Sequence, residues 1–171
     1  MKKILYFSLM IISSMTCFAE KMEGTFTLPE NEKYLCIDWD FSETVFEKKF
    51  DEKEWQSMIG KEEWENAKKE ALSQIILHIN TKMKKSRIIA VKSKSDLKSN
   101  YTLYIAPISL DKKGNNKSKY ILKNSVTDEV VGEMIAKGDG GHWGDLANLL
   151  WDGYEEMSEK IAKKLVRDNK L

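Results

Sequence analysis

The sequence predicts an α+β fold in which two long helices pack on one face of a single mixed β-sheet of about five strands. Two long segments repeat apolar residues at helical spacing, several short segments alternate apolar and polar residues, and no linker-like stretch divides the chain. Helices that cover one face of a sheet bury both apolar stripes in the simplest way. The length of 171 residues and the hydrophobic content of 42% suit one domain with a substantial core.

The strand predictions rest on alternation and on turn chemistry. Residues 34–41 place Leu35 and Ile37 on one face and polar residues on the other, while residues 20–33 indicate an arm or an edge strand. Pro107 falls inside a central apolar strand, where it predicts a bulge or a strand end because proline cannot donate to the ladder. The later strands are predicted at residues 87–91, 101–110, 117–126 and 130–137, the last three as an antiparallel meander.

Two segments show the pattern of amphipathic helices. Residues 51–83 begin with Asp51 and Glu54, a pair that predicts a capping box, and Gly60 divides them into a short helix and a long one. Residues 145–167 predict the closing helix. Acidic residues lie near the start of the first long helix, and basic residues lie near the carboxyl-terminal end of each long helix. This distribution suits the helix dipole.

Residues 1–19 have the pattern of a secretory signal peptide. Lys2 and Lys3 precede a short apolar stretch, and Cys17 and Ala19 occupy positions −3 and −1 of a cleavage site after Ala19. The apolar stretch is too short to cross a bilayer comfortably, which argues against a membrane anchor. We therefore expect an exported protein, periplasmic or secreted. A lipid anchor on Cys17 at the outer membrane is the alternative.

Cleavage leaves residues 20–171 as a single α+β domain. Cys36 is then the one remaining cysteine, so no internal disulfide can form, and its apolar neighbours predict a buried, inert thiol. We expect no transmembrane span in the mature chain, because no other window contains 18 consecutive apolar residues.

The charges are segregated along the chain. Residues 82–123 contain 12 basic and 2 acidic residues, whereas the segments on either side are net acidic. Lys117, Lys119 and Lys123 share a parity, which predicts a basic face on the side of the sheet away from the helices. Such a face attracts anions, although lysines on a sheet can also serve solubility alone. Nucleic acid is not an expected partner, since the chain is exported and has no nucleic-acid motif.

A glycine-rich loop, GDGGHWG at residues 138–144, precedes the last helix. It matches neither a P-loop nor a dinucleotide fingerprint, so we interpret it as a tight turn with Trp143 as a packing anchor. Its backbone amides leave anion binding open as the second interpretation. Asp139, His142 and Asp145 are of metal-ligand type, but Asp145 is a natural helix cap and their spacing fits no known site, so no metal is predicted.

Other residue pairs indicate catalysis only weakly. Asp38 and Asp40 share one face of a strand at about 7 Å, a separation that glycosidase carboxylates also use. Cys36 could pair with His78 or His142 as a nucleophile, but nothing in the sequence brings them together. Trp55 and Trp151 are candidates for an exposed sugar-stacking surface, whereas Trp39 and Trp64 fall on faces predicted to be buried.

The layout of the signal peptide, the strand at 34–41, the acidic helix with Trp55 and Trp64, and the GDGGHWG loop resembles uncharacterised small exported proteins of the Bacteroides group. At the level of fold it is distantly similar to the amino-terminal domain of the Tol translocation protein and to outer-membrane lipoproteins that activate peptidoglycan synthases. The second resemblance implies an envelope domain that works by docking.

The sequence therefore predicts a non-catalytic exported envelope protein that docks on an anionic envelope polymer or an envelope protein, without a cofactor. A small hydrolase of envelope glycans and a carrier of a small apolar ligand are the alternatives, and a homodimer is left open. The residues predicted to bind are Lys112, Lys113, Lys117, Lys119, Lys123, Asp139, His142 and Trp143.

Overall fold

The structure is a computed structural model that describes residues 21–93, 95, 97 and 99–169. The predicted signal peptide at residues 1–19 and Cys17 lie outside these residues. The strands are β1 (Lys21–Gly24), β2 (Tyr34–Trp39), β3 (Val45–Phe46), β4 (Ile89–Lys92), β5 (Tyr101–Leu110), β6 (Asn116–Asn124) and β7 (Val130–Gly138). The helices are α1 (Glu52–Ile59), α2 (Lys61–Lys82) and α3 (Leu146–Asp168).

All seven described strands form one mixed sheet in the order β1-β7-β6-β5-β2-β4, and β3 pairs with β5 off this path. β2 is parallel to both of its neighbours, β4 and β5, whereas β5, β6 and β7 form the predicted antiparallel meander. The expected class, two long helices on one face of a mixed sheet, is confirmed. β1 and β3 raise the strand number above the expected five. β1 lies in the segment predicted as an arm or an edge strand, and β3, with two residues, is too short for alternation to reveal.

The core lies between the sheet and the two long helices. Leu35 and Ile37 of β2 point into it, as their alternation predicts, and α2 and α3 pack beside each other over the sheet. The fully buried side chains of this layer include Leu103, Ile105, Tyr120, Leu122, Ile75, Ile79, Met157 and Ile161. Burial of a large aliphatic side chain contributes about 1.5–3 kcal/mol, so this layer is the main source of stability.

The predicted capping box, helix break and strand irregularity are all present. Asp51 accepts a hydrogen bond from the Glu54 amide at 2.8 Å, and the Glu54 carboxylate accepts one from the Asp51 amide at 3.1 Å, which completes the capping box. Gly60, with φ at +97°, separates α1 from α2. The β5–β6 register shifts between Pro107 and Ser109, where the proline predicted an irregularity.

The described residues that follow β4 contact β2 at both of its ends. After β2 the chain passes through β3, which pairs with β5, before it enters α1 and α2. Beyond β4, Ser93 donates to Asp38 at one end of β2, and Ser99 donates to the Tyr34 carbonyl at the other end. Cys36, between these ends, is buried away from the helices, and a backbone hydrogen bond from Ser99 reaches its thiol. Ser99 therefore lies on the open face of the sheet.

The start of the described chain is fastened to the end of α3. The Asp168 carboxylate accepts hydrogen bonds from the Phe26 amide at 2.9 Å and from the buried Lys164 ammonium at 2.8 Å. The Asn169 side chain accepts from the Leu28 amide and donates to the Phe26 carbonyl. Burial raises the pKa of the Asp168 carboxyl, but hydrogen bonds from Lys164, Phe26 and Arg167 outweigh it, and the pKa lies below its ordinary value.

We expect Asp168→Asn to lower the free energy of unfolding by about 3 kcal/mol at neutral pH, because it leaves the buried Lys164 ammonium without its carboxylate. The lowered pKa stabilises the native state above the unfolded-state pKa of 3.8, and this contribution is lost as the pH falls below it. Urea unfolding between neutral and acid pH measures both effects. The variant should lose less stability in acid than the wild type, and Asp139→Asn, at an exposed carboxylate, should follow the wild type. Equal acid sensitivity of wild type and Asp168→Asn would contradict the assignment.

Candidate functional site

A basic groove opens where β5 and β7 end and β6 begins. It encloses about 340 Å³ and is lined by Lys48, Lys117 and Lys137 together with Asp111 and Asp139. Lys117 and Lys137 lie directly opposite each other in the β6–β7 register. The groove therefore brings lysines from three separate stretches of the chain to one end of the sheet.

A rigid turn beside this groove presents Lys112 and Lys113 to solvent. The Asp111 carboxylate accepts hydrogen bonds from the Lys113 amide at 2.9 Å and from the Asn115 amide at 3.0 Å. The Lys112 amide donates to the Glu47 carboxylate at 2.6 Å. Asp111 is thus occupied by the backbone of its own turn, and the two lysine side chains remain exposed.

Close backbone contacts hold the glycine-rich loop and α3 against this turn. A methyl group on Gly153 would lie 2.1 Å from the Gly114 carbonyl oxygen, and one on Gly138 would lie 1.7 Å from the Gly153 carbonyl oxygen. The Gly140 amide also donates to the Asn115 side chain at 2.8 Å. Glycine is required at these positions because a Cβ atom has no room, so the interpretation of the loop as a tight turn is supported.

Trp143 does not act as the packing anchor that the sequence suggested. Its side chain is 89% exposed, and His142 and Asp139 are exposed in the same loop. The glycines make the tight contacts with α3 and the turn, and Asp145 caps α3 by accepting from the Asn148 amide at 2.9 Å. The loop is therefore fixed at its backbone while the indole ring points into solvent.

A buried polar network supports the floor of the groove. The Asn116 side chain donates to the carbonyls of Gly114 and Gly153, and Ser118 donates to Asn116 at 2.8 Å. The Tyr154 hydroxyl lies 3.0 Å from Ser118, and burial raises the Tyr154 pKa far above its ordinary value. Tyr154 is consequently neutral at physiological pH, and the network is structural.

Lys119 and Lys123 lie on the open face of the sheet but apart from this cluster. Lys119 is 3.8 Å from Glu133 of the neighbouring strand, and Lys123 is 3.1 Å from Asp128 in the β6–β7 turn. Both partners come from the acidic segment that follows in sequence. The open face is thus less basic than the lysine parity predicted, and the concentration of positive charge lies at its end.

The structure separates the predicted carboxylate pair. Asp38 accepts from the Trp39 amide at 2.9 Å and from Ser93 at 2.5 Å, and it lines a cleft beside α2. Asp40 accepts from Ser42 and lines a different depression on the open face. The two carboxylates therefore do not face one shared cleft.

The environments of the remaining candidate residues indicate structural roles. Burial raises the pKa of the Cys36 thiol, in agreement with an inert cysteine. The His78 ring packs 5.4 Å from that of Trp151, and Trp55 is buried against Phe46.

Within the described part of the chain, no three acidic, histidine or cysteine side chains are grouped so that they could hold a metal ion. No helix among the described residues is long and apolar enough to span a membrane.

Comparison with known proteins adds distant structural similarities. No protein-family model and no curated protein matches the sequence. The structure is similar to a PelC dodecamer from Paraburkholderia phytofirmans at 10% identity and a TM-score of 0.45, over 82% of this chain and 96% of that one. A PelC variant from the same organism matches at 9% identity and 0.43, over 89% and 98%. An uncharacterised protein matches at 9% and 0.42, over 84% and 99%.

Proposed function

We propose that the mature chain is a non-catalytic exported domain that docks on an anionic polymer of the cell envelope through its basic end. The basic end consists of Lys48, Lys117 and Lys137 in the groove, Lys112 and Lys113 in the turn, and Trp143 in the adjacent loop. The observation that carries the proposal is the exposed Trp143 indole on a fixed backbone next to exposed lysines.

Charge and apolar contact complement each other at this end. Exposed lysines attract an anionic chain over a Debye length of about 8 Å at physiological salt. Lys117 and Lys137 lie opposite each other in neighbouring strands, and both add positive charge to this end of the sheet. Tryptophan is enriched among residues that dominate binding energy, because a rigid ring loses little entropy on contact.

The two alternatives from the sequence have less support. The glycan hydrolase was predicted to use Asp38 with Asp40 or the His142 loop. The two carboxylates line different depressions, and His142 is exposed. The apolar carrier required an internal cavity between sheet and helices, and buried side chains of both fill that layer apart from an open cleft at the ends of β2 and β4. Envelope location rests on the predicted signal peptide, and the docking proposal depends on that prediction.

Neutralising the basic end should weaken binding to an acidic polysaccharide. We expect Lys112→Gln with Lys117→Gln to reduce the affinity of residues 20–171 for alginate about tenfold at low salt, since each exposed charge contributes up to about 1 kcal/mol. Lys119→Gln with Lys123→Gln is the matched control, because these lysines already have acidic partners. Biolayer interferometry with immobilised alginate measures the affinities, with uncharged dextran as the reference.

Salt should weaken the alginate complex of the wild type and reduce the difference between the two double variants. An equal loss in both double variants would contradict a docking site at the basic end. Equal binding to alginate and dextran would contradict an anionic partner.

Trp143→Ala should weaken alginate binding several-fold and leave the unfolding temperature unchanged, because the indole is 89% exposed and supports no core contact. Val126→Ala is the control, since Val126 is 74% exposed in the turn at the opposite end of β6. Calorimetric unfolding and the same alginate assay separate the two effects. A lower unfolding temperature, or unchanged binding, would show that Trp143 is not a docking residue.

A further inference from the structure

A second and larger concave site lies at the carboxyl ends of β2 and β4. It encloses about 550 Å³ between the sheet and α2. β2 and β4 are parallel neighbours, so their carboxyl ends lie side by side. In open sheets with parallel strands, ligands bind in crevices outside the carboxyl ends of the strands. The cleft is lined by the ends of both strands, by Asp38 and Trp39 as the last residues of β2 and by Lys92 and Ser93 at the end of β4.

An immobilised aromatic surface forms one wall of the cleft. The Trp39 indole donates to the Lys68 carbonyl at 3.0 Å, and its ring packs 5.0 Å from Tyr154 and 5.2 Å from Phe41. Trp39 is partly exposed, and Phe41 and Leu72 extend the same wall. Because three contacts hold the indole in place, a ligand can stack on it with little loss of side-chain entropy.

The polar side chains around this wall are held in a fixed arrangement. The Lys68 ammonium lies 2.8 Å from both Glu52 and Glu65 and 5.4 Å from the centre of the Phe41 ring. Asp38 is oriented by its hydrogen bond from Ser93. Asn66 and Lys69 are exposed on α2 at the mouth of the cleft.

The lining carries balanced charge. Its acidic members are Asp38, Glu52 and Glu65, and its basic members are Lys68, Lys69 and Lys92. A charged ligand would leave one sign uncompensated, whereas a neutral ligand with many hydroxyl groups finds both donors and acceptors. Hydroxyl groups donate to carboxylates and accept from ammonium and amide groups.

We infer that this cleft binds a short neutral saccharide. The apolar C–H face of a pyranose ring stacks on Trp39, and its hydroxyl groups bond to the polar side chains opposite. The volume lies within the range of about 300–1,000 Å³ that is typical of small-molecule sites. No lining residue is shared with the basic groove. The inference therefore does not depend on the proposed docking function.

Titration of ¹⁵N-labelled residues 20–171 with cellobiose and with N,N′-diacetylchitobiose tests this inference. We expect saturable shifts of the Trp39 indole signal and of the Lys92 and Ser93 amides with at least one of these disaccharides. Asn66→Ala should weaken the binding about fivefold, the effect of one lost hydrogen bond. Gln74→Ala, an amide exposed on the same helix outside the cleft, should leave the affinity unchanged.

Three results would overturn the inference. The first is the absence of saturable shifts with both disaccharides. The second is a response confined to the Trp143 indole, which would place saccharide binding at the basic end. The third is tighter binding of leucine or glucuronate in the cleft, which would assign a charged or zwitterionic ligand.

Discussion

The contact between α3 and the ends of the meander strands determines the shape of the basic end. Gly153 of α3 meets the backbone at Gly114 and Gly138 so closely that no side chain fits between them. This contact fixes the lysine-bearing turn and the glycine-rich loop relative to each other. The lysines and Trp143 consequently occupy one surface, although they lie in separate stretches of the sequence. The buried Asn116 side chain bonds to the carbonyls of Gly114 and Gly153, and it supplies the polar partners that this close approach requires.

The basic groove and the cleft lie at the same end of the sheet. β2, β4 and β5 run parallel, and β7 runs in the same direction because two antiparallel pairings separate it from β5. Tyr154 supports both sites, since its ring contacts Trp39 of the cleft and its hydroxyl meets Ser118 below the groove. One residue of α3 therefore connects the candidate saccharide site to the candidate anion site.

Features that depend on residues close together in sequence were predicted better than features of the surface. The Asp51 capping box, the Gly60 break and the irregularity at Pro107 depend on neighbouring residues, and the structure has all three. The partners of Lys119 and Lys123 depend on strand register and turn conformation, and the parity of the lysines could not show that acidic residues would face them. Trp143 was predicted to be the packing anchor of the tight turn, but the glycines beside it already fill the contact with α3. The separation of Asp38 from Asp40 follows from the end of β2 at Trp39, after which alternation no longer applies.

The most direct test of this account is the free energy of unfolding of Gly153→Ala, measured in urea together with its affinity for alginate. At an exposed helical position, glycine to alanine raises stability by about 1 kcal/mol. Here we predict a loss of about 1–3 kcal/mol, because the added methyl group overlaps the Gly114 carbonyl, and weaker alginate binding as the turn moves. A more stable variant with unchanged alginate binding would contradict the central role of this contact.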